Sequence, residues 1–108
     1  MDGLTIVELR KLCEEGRIRW TDHVLKRLMQ RGIAQADVIH AIMGGEIIEQ
    51  YPDDYPYPSC LVFGLSIDGE ILHAVCGCGD GALWMITAYY PNDIEWEADK
   101  KTRRKVQK

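Results

Sequence analysis

From Gly32 to Asp99 the sequence contains no lysine and no arginine, against twelve aspartates and glutamates. That stretch alone cannot hold a polyanion, so a nucleic-acid contact must use the first helices, the C-terminal tail or both. No apolar run approaches membrane-spanning length, so no membrane contact is expected. The N-terminus, MDGLTIVELRKL, lacks the basic start and apolar block of a signal peptide. A cytoplasmic protein is the expectation, with Cys13, Cys60, Cys76 and Cys78 as reduced thiols. A phosphate-binding Walker loop, a dinucleotide fingerprint and a nucleophile elbow are all missing, which excludes the enzymes built on them. Cys76 and Cys78 alternate in a strand-like segment and do not form the tight knuckle of a zinc site. Buried small thiols are expected instead, and no metal.

The 108 residues suit one domain with a single modest core. Charge is unevenly spread along it. Residues 10–31 carry seven Lys or Arg against three acids, and residues 100–108 carry six basic residues and no acid. The natural division is a domain over 1–99 and a basic tail over 100–108. That tail, KKTRRKVQK, is the pattern of a solvated, frayed terminus.

The stretch Trp20–Gly32, WTDHVLKRLMQRG, organises the rest. Thr21 is an N-cap, Asp22 suits the first helical turn, and Gly32 stops the helix. Val24, Leu25, Leu28 and Met29 form one apolar arc. His23, Arg27 and Arg31 follow one another every four residues along its edge. An imidazole and two guanidiniums there suit an anion in a cleft, and the same spacing also describes a solvated helix edge.

An earlier helix begins at the capping box Thr5–Glu8, stapled by Leu4 onto Leu9, with Ile6, Leu9, Leu12 and Cys13 inward and Gly16 at its end. Residues 17–20 read as a connector or edge strand. A third helix runs from about Ala34 to Met43, with Val38, Ile39 and Ile42 inside and His40 on its surface, stopped by Gly44-Gly45. The periodicity then changes to that of strands. EIIEQY at 46–51 is the first, and the proline-rich YPDDYPYP that closes on Pro58 is an extended loop. Cys60–Ile67 and Glu70–Cys78 form a hairpin on a two-residue Asp68-Gly69 turn. Gly79-Asp80-Gly81 turns into a last strand, Ala82–Tyr90, ended by Pro91. Helices followed by an antiparallel meander specify an α+β domain, with helices packed on a sheet of about four strands.

The two-residue turn sets Gly64 opposite His73 and Phe63 opposite Ala74. Leu61, Phe63, Leu65 and Ile67 then share the core face with Leu72, Ala74 and Cys76. Val62, Gly64, Ser66, Ile71, His73 and Val75 take the other face. A three-residue turn at Gly79–Gly81 pairs His73 with Thr87, and Tyr89 follows on that face; a four-residue turn pairs His73 with Ile86 instead.

WTDHVLKRLMQRGI, ADVIHAIMGGEIIEQYPDD, CLVFG, DGEILHAV and MITAYYPNDIEWE together resemble the DUF4258 domain family over about residues 17–97. That family is similar in predicted architecture to the RelE/ParE-like toxins of bacterial toxin–antitoxin pairs. The resemblance implies a RelE-like fold, endoribonuclease activity, RNA as substrate, with ribosome-bound mRNA among its forms, and a cognate antitoxin, often a small zinc-finger or helix-turn-helix protein. Ala34 departs from it, because the family pattern has a capping Ser there.

Metal-independent RNA cleavage needs a base for the 2′-hydroxyl proton, an acid for the leaving 5′-oxygen and positive charge on the phosphate. His23 and His73 are the base and acid candidates, Arg27 with Arg31 the anion clamp, and Tyr89 a stacking or proton-carrying group. The alternative is a non-catalytic module that docks a basic protein partner through the acidic sheet.

Overall fold

The structure, a computed structural model, describes residues 3–105. The chain runs α1 (Ile6–Glu14), β1 (Ile18–Arg19), α2 (Asp22–Gln30), α3 (Gln35–Gly44), β2 (Glu46–Tyr51), β3 (Ser59–Leu65), β4 (Ile71–Gly79) and β5 (Ala82–Tyr89). The five strands form one sheet in the order β1-β5-β4-β3-β2. The fold is thus α+β, with five strands where about four were expected. The extra strand is the two-residue β1, which pairs parallel to β5 and makes the sheet mixed.

Local chemistry places the helices. Thr5 and Glu8 close the capping box of α1, and the Thr21 hydroxyl accepts from Val24 N–H at the start of α2. Ala34 caps α3 without a side-chain acceptor, and Asp37 reaches back to the Ala34 N–H. All three helices pack on one face of the sheet. Leu9, Val24, Leu28, Val38, Ala41 and Ile42 meet Cys60, Val62, Leu72, Ala74, Cys76, Leu83 and Ala88 there. Met29, expected in the apolar arc of α2, is exposed instead.

The β3–β4 register differs by one residue from the expected one. Phe63 pairs with His73 and Gly64 with Leu72. The Ser66 N–H donates to Glu70 O, the Gly69 N–H donates to Ser66 O, and Gly69 has φ +89°. This is a three-residue loop, Ile67-Asp68-Gly69, whose left-handed residue is glycine. The added loop residue turns β3 over. Val62 and Gly64 face the helices, while Leu61, Phe63 and Leu65 join His73 and Val75 on the second face. Gly64 is required there, since a Cβ would lie 2.1 Å from Ala41 O of α3.

The β4–β5 turn is shorter than expected. Asp80 and Gly81, at φ 54° and 70°, form a two-residue turn with Gly79 opposite Ala82. The register then slips between Val75 and Cys76, leaving Ile86 as the extra residue of a bulge. Beyond it Val75 pairs with Thr87 and His73 with Tyr89.

Part of the second face, around His73, is covered by residues 92–105, which fold into a narrow hairpin strap. Trp96 bridges Arg103, the Glu97 N–H donates to Thr102 O, and the Arg104 N–H donates to Glu95 O. Asn92 accepts from the N–H groups of Ile94 and Glu95 at the strap's entry, and Asp99 accepts from Lys101 and Thr102 at its tip. The expected free tail is therefore docked as far as Lys105; the rest of it, 106–108, lies outside the described residues. Lys101 pairs with Glu46 at 2.9 Å, Arg103 forks onto Glu49 at 2.8 and 3.1 Å, and Arg104 pairs with Glu97. The acids of β2 explain this docking, because they face the strap's cations from the adjacent edge of the sheet.

Candidate functional site

Two groups of polar residues stand apart on this frame. The first lies between the sheet and the strap. His73 is completely buried. Its Nε2–H donates to the Lys100 carbonyl at 2.7 Å, which fixes the tautomer and leaves Nδ1 toward the Tyr89 hydroxyl at 3.4 Å. Trp96 stands edge-on to the imidazole with centroids 4.5 Å apart, and Phe63 and Tyr89 complete its surroundings. Burial holds His73 below the ordinary histidine range, against the Lys100 carbonyl and Glu49, so the ring is neutral at pH 7. Burial likewise raises Tyr89.

Glu49 anchors the neighbouring ion pair. Burial alone would raise its carboxyl, but hydrogen bonds from Arg103 and Tyr51 outweigh that and lower it. Tyr51 is pushed up to about 12 by burial and its bond to Glu49.

The second group lies on the outer side of α2. His23, Lys26, Arg27 and Gln30 line a shallow hollow of about 300 Å³. His23, Lys26 and Arg27 are exposed, and none is hydrogen-bonded or ion-paired among the described residues. Arg31 behaves differently. At the end of α2 it reaches the free edge of β5, where Nη1 donates to Thr87 Oγ1 at 2.9 Å and Ala88 O at 2.8 Å.

The five candidate residues are thus divided. His73 and Tyr89 meet, and Arg31 touches the strand that carries Tyr89. His23 and Arg27 stay on the exposed side of α2. An acid–base pair of His23 and His73 has no common cleft here, because the neighbours of His73 are sheet and strap side chains while the hollow beside His23 is made by α2 alone. The helices pack on the face away from His73, and only the long Arg31 side chain rounds the sheet edge.

Sequence reasoning missed the partners Glu49, Trp96 and Arg103. A signal for them existed in the basic run 100–104 and the acids of β2, but only the folded strap juxtaposes them. It also missed Arg19, whose register partner is Trp84. Of the four thiols, Cys60 and Cys76 are buried and Cys13 and Cys78 are half-buried. Cys60 and Cys76 are register partners inside the core, where the Cys60 contact and burial raise Cys76. Burial raises Cys13, and pushes Cys78 up to about 12. These three are protonated at neutral pH and are poor metal ligands in that state.

No curated protein and no solved structure matches the chain. Residues 20–90 match the model of a family described as a domain of unknown function, DUF4258. The match takes in α2, α3 and the sheet from β2 to β5, and stops just before the strap. It spans well over half of the 108 residues, and the protein belongs to the DUF4258 family.

Proposed function

We propose that this protein is the toxin of a toxin–antitoxin pair, a RelE-like, metal-independent endoribonuclease whose RNA-facing surface is the outer side of α2. It would act in the cytoplasm, on RNA that includes ribosome-bound mRNA, and be held in check by a small zinc-finger or helix-turn-helix antitoxin. One observation carries the reading. Of the three imidazoles, His40 is bound to the Leu65 carbonyl and His73 to the Lys100 carbonyl, whereas His23 is open to solvent beside the unpaired Lys26 and Arg27. His23 and His40 are both exposed, but among the described residues only His23 has both ring nitrogens without a partner, and it stands among cations that attract phosphate.

In this reading His23 takes the 2′-hydroxyl proton, and the 2′-oxygen attacks phosphorus as the bond to the 5′-oxygen breaks. The leaving oxygen takes its proton from water at this exposed site. Arg27 and Lys26 balance the charge that builds on the phosphate. Arg31 positions α2 against β5. His73 and Tyr89 are structural beneath the strap.

A second reading, a non-catalytic module that docks a basic partner, rests on the strap itself. Glu46 and Glu49 already bind Lys101 and Arg103, so this face has affinity for a basic segment. The two readings separate on purified protein with labelled single-stranded RNA. The nuclease cuts it, and His23→Ala abolishes cutting while Arg27→Ala weakens binding. Contact through Arg19, Lys26 and Arg27, with Lys100, Lys101, Arg103 and Arg104 of the strap already paired, gives a slope of log affinity on log salt of about −2. Absence of RNA binding at low salt supports the docking module.

A further inference from the structure

A separate hollow of about 410 Å³ opens on the second face, beside the proline-rich loop. Tyr55, Tyr57, Gly77, Trp84 and Ile86 line it, together with Asp54. The volume lies in the range of small-ligand sites. The aromatic walls are preset. The Trp84 Nε1–H donates to Gly79 O at 3.1 Å, and Tyr57 lies 6.0 Å from Trp84 with a tilt of 31°. Gly79 permits this, because a Cβ there would lie 2.0 Å from the Tyr57 ring.

Charge around the hollow is polarised. Arg19 is the register partner of Trp84 and is exposed, without an acidic partner among the described residues. Thr21 lines the hollow and caps α2, so His23 lies within one helical turn of it and Lys26 and Arg27 within two. The Asp54 carboxylate, also in the lining, accepts from Ser59 Oγ at 2.6 Å and from the Tyr55 N–H at 3.2 Å. Two carboxylate oxygens carry about four acceptor positions, so acceptor capacity remains for an amino group. An aromatic-lined hollow with a carboxylate acceptor in its lining and cations on the neighbouring β1 and α2 matches a nucleotide, which has a planar base with an amino edge and an anionic end.

We infer that this hollow holds one unstacked, amino-bearing base of single-stranded RNA, with its phosphates directed to Arg19 and the cations of α2. The base stacks on Trp84 or Tyr57, and its amino group faces Asp54. This rests on the RNA reading of α2 and adds to it a base subsite that determines where along the strand the α2 surface engages.

The test compares a short oligocytidylate with an abasic ribose-phosphate chain of equal length, by fluorescence anisotropy and by the NMR signal of the Trp84 indole. Both probes should bind at low salt. The oligocytidylate should bind at least about tenfold tighter, in keeping with one stacked base, and it alone should shift the indole. Trp84→Leu should remove the difference between the probes. Because that indole also holds the Gly79 carbonyl, Ile86→Glu at the exposed rim is the second variant, and it should weaken the oligocytidylate more than the abasic chain. Equal affinity of both probes with an unmoved indole would overturn the base subsite and leave the RNA reading standing. Binding of neither probe would overturn both. An indole signal that shifts with protein concentration alone would assign the hollow to a second copy of the chain and overturn the proposal.

Discussion

Replacing Trp96 by Ala separates the two forces that hold the strap. Trp96 is 1% exposed, edge-on to His73 at 4.5 Å, with the Arg103 guanidinium 4.5 Å over its ring. Truncating a buried Trp to Ala ordinarily costs about 3–5 kcal/mol. The strap ends the described chain and can lift off the sheet, which caps the loss at the strap's own docking energy, so the low end, about 3 kcal/mol, is expected. The partly exposed pairs that join strap to sheet, Lys101–Glu46 and Arg103–Glu49, are worth about 0–1 kcal/mol each. The indole therefore outweighs either ion pair, and about 1 M salt should leave the strap in place. Urea unfolding measures the stability, and NMR titration of the His73 ring reports the cover. Wild type should titrate below the ordinary 6.5, and Trp96→Ala should return His73 toward it. A variant within about 0.5 kcal/mol of wild type, the scale of ordinary surface substitutions, with an unchanged His73 titration would refute the indole as anchor.

Stability should also fall as pH drops through 6.5. The unfolded chain takes up the His73 proton there before the folded one, so the folded state loses ground down to the depressed folded value; His73→Gln should flatten this part of a thermal-melt profile. Ala34→Ser should raise stability by about 1 kcal/mol in chemical denaturation, by supplying the missing cap acceptor of α3. Gly64→Ala should cost about 3 kcal/mol or more, because the Ala41 carbonyl of α3 occupies the space a methyl would need.

The helices were legible in the sequence because their signals are local. Thr5, Glu8, Thr21 and the glycines after each helix mark ends within a few residues of where they fall. Strand existence was legible for the same reason. Register was not, because one loop residue decides it. Ile67 looks like the end of a strand but forms the loop before Gly69, and that single residue exchanged the faces of β3. The Ile86 bulge has no local signature either, and it is what carries Tyr89 to His73. The strap lacks a strand-like alternation. Its order comes from charges supplied by Glu46 and Glu49, more than forty residues earlier, and from one tryptophan. The stripe on α2 was legible as a stripe, but which of its members are open to a substrate depends on Arg31 finding β5.

The most direct test is induced expression in a bacterial host, with growth and RNA integrity followed together. Wild type should slow growth and leave RNA nicked, while soluble His23→Ala/Arg27→Ala should restore growth and intact RNA; His73→Gln, which leaves the outer side of α2 untouched, should remain toxic wherever it folds. Unimpaired growth and intact RNA with soluble wild-type protein, or undiminished cleavage by the double variant, would contradict an RNA-cleaving surface on α2.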